Sequence, residues 1–108
     1  MVNFSVKHLT TWYEKTRGLI GYKKLVPVCI DTRFGIHTFG VRKPIDIVIL
    51  DKDNNVQQYR EHVLPNRFVF WNIAYPRVLE LPTGMIEDKK IKFGMRMLLI
   101  TSRRGSRA

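Results

Sequence analysis

The run Ile45-Asp46-Ile47-Val48-Ile49-Leu50 limits the fold more than any other stretch of this chain. Its β-branched side chains lose rotamer freedom in a helix and pack well on a pleated surface, so it reads as a strand. Pro44, just before it, suits a strand's first position. Asp51-Lys52-Asp53-Asn54-Asn55 then brings residues that accept positive φ, and residues 56–63 resume a strand pattern. Together these predict a β-hairpin closed by a loop of about three to five residues.

The flanking sequence adds short elements. Val2, Phe4 and Val6 alternate with polar residues at the period of a half-buried strand. Thr11 and Glu14 have the spacing of a capping box, predicting a helix over 12–17 that ends near Gly18 and Gly21. Residues 22–34 read as a loop with at most a short strand. Residues 78–81 form a strand stopped by Pro82, Thr83 can cap a short helix through Lys89, and residues 95–100 make the last strand. The sum is an α+β domain over residues 1–100. Its sheet is mostly antiparallel and strongly curved, a sandwich or partly open barrel, with two short helices. Residues 101–108 are a basic tail expected to be disordered.

A chain of 108 residues suits one core and no second domain. Cys29 stands alone, so no intrachain disulfide forms, and a secreted domain this small would usually need several. No signal segment opens the chain, and no apolar run approaches the roughly 20 residues of a membrane helix. A cytoplasmic, non-membrane protein is the expectation. The three histidines, His8, His37 and His62, show no metal-ligand spacing, and no phosphate-binding glycine motif is present. Neither metal nor cofactor is expected. The net charge of +10 is the unusual quantity. It attracts polyanions, although a composition rich in Lys and Arg produces the same number without a partner.

The densest polar run spans residues 35–46. His37 can move a proton near neutral pH, Arg42 can clamp an anion bidentately, and Asp46 can orient either one. Arg17, at the end of the first helix, is a second cation for Asp46. The plainer reading has these groups completing hydrogen bonds within the fold. Asp46 is the sharper case, since a carboxylate facing the core needs partners. Cys29 and His37 could form a nucleophilic pair, but a Cys between Val and Ile more often packs as a small hydrophobe. A second constellation sets Phe68, Phe70, Trp71 and Tyr75 near Arg67 and Arg77, the mixture that single-stranded nucleic-acid surfaces use. The plainer reading turns Phe68 and Phe70 to the core, with Trp71 over the rim.

Three motifs occur in order: Arg17-Gly18-Leu19-Ile20-Gly21, then Ile36-His37-Thr38-Phe39 with Arg42, Pro44-Ile45-Asp46 and Leu50-Asp51, then Val78-Leu79-Glu80-Leu81-Pro82-Thr83-Gly84 with Ile91-Lys92-Phe93-Gly94. Over residues 17–98 this order resembles the domain-of-unknown-function family numbered 192, also called uncharacterised protein family 0127. Val41 stands where many members carry Met, and Met95 where an Asp commonly follows the last Gly. The resemblance implies a compact, curved β-sheet domain with short helices, and it brings no reaction or ligand.

Three functions follow. The first is a non-enzymatic binding or accessory domain with an anion site at Arg17, His37, Arg42 and Asp46. The second is nucleic-acid or polyanion binding through Arg67, Arg77 and the tail residues Arg103, Arg104 and Arg107. The third is a small hydrolase or transferase using Cys29 or His37.

Overall fold

The expected hairpin is present, and its first strand lies inside a larger sheet. The structure, a computed structural model, describes residues 2–9, 27–33, 35–38 and 43–101. Arg17, Arg42, the predicted helix over 12–17 and residues 102–108 of the tail lie outside the described residues. Eight strands are seen there: β1 (Val2–Leu9), β2 (Val28–Asp31), β3 (Gly35–His37), β4 (Ile45–Leu50), β5 (Val56–Val63), β6 (Phe68–Phe70), β7 (Arg77–Pro82) and β8 (Met97–Thr101). Six form one sheet in the order β5-β4-β7-β2-β1-β8, and β3 pairs with β6 in a separate two-stranded ribbon. Antiparallel pairing dominates. The two parallel ladders both belong to β1, against β2 and β8.

The six-stranded sheet does not close into a barrel. Its two ends touch where Asn55 bridges Arg96, with the Val56 amide donating to the Met95 carbonyl at 2.8 Å. Beyond Val56 no ladder joins β5 to β8. Of the expected architecture, the mostly antiparallel sheet is present and it is open. The expectation of two helices is reduced to one among the described residues, α1 (Met85–Asp88), a single turn. Thr83 does not cap it. Gly84 holds the cap position at φ 94° with no side-chain cap of its own.

Both faces of the sheet are covered at β4, which explains why every residue of that strand is buried. Val48 and Leu50 face a cluster with Val6, Cys29, Leu79, Leu81, Ile86, Ile91 and Met97. Ile45, Ile47 and Ile49 face another with Val28, Ile30, Val78, Val69 and Trp71. The ribbon supplies Val69 and Trp71 to that second face, and the Trp71 indole N–H donates to the Tyr75 carbonyl at 3.0 Å. Strand β2, in the segment read as mostly loop, lies between β7 and β1 with Val28, Cys29 and Ile30 buried.

The hairpin loop is held from within. Asp51 Oδ1 accepts from the amides of Asp53 and Asn55, both at 2.9 Å, and Oδ2 from the Gln57 side chain at 2.9 Å. Asn54 takes φ 67°, as turn chemistry requires. Desolvation opposes ionisation of Asp51, but these hydrogen bonds outweigh it and hold the carboxyl below its ordinary value. No helix among the described residues is long and apolar enough to cross a membrane.

Candidate functional site

Asp46 is fully buried, and backbone groups answer its charge. Its Oδ1 accepts from the His62 amide at 2.9 Å; Oδ2 accepts from the amides of Gly84 at 3.0 Å and Ile86 at 2.9 Å. The Thr83 hydroxyl adds a longer contact at 3.4 Å. The geometry has a local origin. Strand β4 pairs Ile45 with Val63 and Ile47 with Arg60, so the register slips at Asp46. Two residues of β5, Glu61 and His62, then stand opposite one of β4, as in a β-bulge. His62 takes φ 55°, and its N–H turns to the carboxylate. The same carboxylate receives the amides at the start of α1, replacing the side-chain cap that Gly84 cannot provide. Asp46 thus joins β4, β5 and α1 through amides, and neither His37 nor any other charged side chain among the described residues bonds to it.

His37 is exposed on β3, opposite Phe68 of β6. Its neighbour Thr38 is buried, and its hydroxyl donates to the Leu64 carbonyl while accepting from the Arg67 amide, both at 2.8 Å. Thr38 therefore fastens the ribbon to the turn before β6. Of the candidate anion site, His37 and Asp46 fall in different sheets, and Arg17 and Arg42 lie outside the described residues.

The plainer reading of the aromatics, with Phe68 and Phe70 turned to the core, is overturned. Phe68 and Phe70 are 61% and 64% exposed, whereas Val69 and Trp71 are buried. The two phenyl rings are parallel to within 10°, with centroids 5.9 Å apart. Gly35 sits opposite Phe70, and a Cβ there would lie 2.7 Å from Phe70 Cδ1 and 2.5 Å from the Val69 carbonyl oxygen. The Phe70 ring is thus laid across bare backbone. Arg67 is exposed next to Phe68, and its guanidinium makes 3.4 Å contacts with the carbonyls of Pro65 and Asn66. Arg33 is exposed, its guanidinium donating to the Ile73 carbonyl at 3.1 Å. Arg77, the other described candidate for nucleic acid, is half-buried. It bonds Asp31 at 3.0 Å and also the Asn54 side chain, so its guanidinium serves the fold. Arg103, Arg104 and Arg107 lie outside the described residues.

Cys29 is buried in the sheet, and desolvation, partly offset by Arg77, pushes its thiol up to about 12. A thiol so placed supplies no thiolate near neutral pH, which removes it as a nucleophile. Glu80, which the sequence reading passes over, is buried on β7 between Ile47 and Val28 of the neighbouring strands. A groove of about 660 Å³ lies elsewhere, between β5 and the end of α1. Tyr59 and Phe93 line it, with Glu61, Glu87, Lys90 and Lys92, and this balance of signs selects no ligand charge.

No family model and no curated protein matches the chain. Solved structures do. A protein of unknown function from Novosphingobium aromaticivorans is 19% identical with a TM-score of 0.75, over 84% of this chain and 71% of that one. A Sinorhizobium meliloti protein described as a "putative transcription regulator" is 18% identical with a TM-score of 0.75, over 84% of this chain and 78% of that one. At these identities the likeness defines a shared fold.

Proposed function

We propose that this chain is a binding module for polyanions, with the β3–β6 ribbon and its flanks as the contact surface. One observation carries the reading. No Asp or Glu occurs between Asp31 and Asp46, nor between Glu61 and Glu80, and these two segments build the ribbon. Within them stand Arg33, Arg42, Lys43, Arg67 and Arg77, and Arg33, Lys43 and Arg67 are exposed. Acidic groups are withdrawn elsewhere: Asp46 and Glu80 are buried, and Asp51 is bound to its own loop. Positive charge of one sign on one layer raises the local concentration of anions.

The fold shared with the Sinorhizobium meliloti protein called a "putative transcription regulator" accords with a nucleic-acid partner. Membership of the domain-of-unknown-function family numbered 192, supported by the motif order, is part of the same proposal and adds no reaction to it. A small-anion site at Arg17, His37, Arg42 and Asp46 is the weaker reading, because Asp46 is spent on amides.

Binding of a labelled mixed-sequence oligonucleotide, followed by fluorescence anisotropy between about 50 and 200 mM salt, tests the reading. The expected result is affinity that falls linearly on a log–log plot, as neutralised phosphates release counterions. Absence of binding at the lowest salt overturns it.

A further inference from the structure

We infer that the outer edge of β5, with the groove beside it, docks an extended, uncharged peptide segment of a partner protein as an added strand. The inference is independent of the polyanion reading, since the ribbon takes no part in it.

Strand β5 stands at the end of the six-stranded order and pairs with β4. On its outer side Val56 is engaged: its amide donates to the Met95 carbonyl and its carbonyl accepts from the Gly94 amide, both at 2.8 Å. Among the described residues no further backbone–backbone bond reaches that side. A strand so placed offers its outward N–H and C=O groups to an incoming strand.

The groove of about 660 Å³ borders this strand. Tyr59 and Glu61 of β5 line one wall, and residues 90–93, the stretch that leads to Gly94 and its bond to Val56, line the other. Ile86 and Ile91, both buried, give it an apolar base, while Tyr59 and Phe93 are 41% and 70% exposed. Backbone partners on one side and a pocket for alternate side chains beside them are what a peptide uses to extend a sheet.

Two observations choose the occupant. Glu61 and Glu87 balance Lys90 and Lys92 around the groove, so a charged side chain of either sign meets a like charge and an uncharged segment meets none. Regular pairing of β5 with β4 holds over residues 58–60, between two register slips. Edges interrupted in this way discourage whole sheets from joining, which favours a short peptide over a second copy of this chain.

The test selects phage-displayed random peptides, about six residues long as strands usually are, against the full chain, with heparin present to mask the basic ribbon. The expected result is enrichment of uncharged sequences with apolar residues at alternate positions. A selected peptide is then synthesised with N-methyl groups on alternate amides. Methylation of one parity weakens binding by about tenfold or more and methylation of the other leaves it unchanged, because alternate amides face β5. Tyr59→Ser/Phe93→Ser weakens the unmethylated peptide too, with the melting temperature unchanged; the methylation arm needs no variant to fold. No enrichment over a selection without the protein, or equal tolerance of methylation at both parities, overturns the inference. Sedimentation showing a dimer that the selected peptide dissociates assigns the edge to a second copy and overturns the occupant. Failure of the oligonucleotide to bind removes the polyanion reading and leaves this one standing.

Discussion

Substituting alanine at Asp46 takes from the amides of His62, Gly84 and Ile86 the acceptor they share in the interior. Buried donors stripped of a charged acceptor cost more than an ordinary hydrogen bond, and a loss of about 3 kcal/mol is expected for Asp46→Ala. Asp46→Asn keeps one carbonyl oxygen and should lose less. Urea unfolding measures both, and a midpoint for Asp46→Ala equal to the wild type's would contradict the assigned role. A carboxylate that interrupts Ile45 and Ile47 is visible in the sequence as a group needing partners. The partners are not, because backbone amides carry no sequence signature and the slip that aims the His62 amide arises only when β5 pairs with β4. Glu80 is less legible still. It sits in Val78-Leu79-Glu80-Leu81, where alternation reads it as outward, but in a sheet covered on both faces there is no outward side.

Among the elements, the β3–β6 ribbon depends on how closely its two strands approach. Gly35→Ala places a methyl group against the Val69 carbonyl oxygen and the Phe70 ring. The carbonyl belongs to the backbone and cannot swing away, so overpacking of about 1–3 kcal/mol is expected. It should appear as a lower melting temperature and as displaced Phe70 ring resonances in proton NMR. Unchanged stability and unchanged ring shifts would contradict the close packing. Period 2 in residues 68–71 is plain in the sequence, but it leaves two parities open. Phe68 and Phe70 look like the core pair by size. The structure prefers Val69 and Trp71, which fit against Ile45, Ile47 and Ile49, while Tyr75 satisfies the indole N–H. The hairpin of β4 and β5 is legible because its turn residues act locally. Strand β2 is not, since a short strand buried on both faces lacks the alternation that announces one.

At the scale of the molecule, the six-stranded sheet separates two surfaces of different charge. On one side Glu61 and Glu87 share the groove beside α1 with Lys90 and Lys92. On the other, the ribbon rises from two segments without an acidic residue and carries the exposed aromatic pair. The net charge of +10 is evident from composition, whereas the joint display of the two acid-free segments is not, because residues 35–37 and 68–70 become neighbours through the pairing of β3 with β6. An amide NMR titration of the chain with a short unlabelled single-stranded oligonucleotide measures that display directly. The largest shifts are predicted at residues 35–38 and 67–71, with the amides of Tyr59, Glu87 and Phe93 unmoved. Shifts centred on the groove, or none at all, would contradict the account.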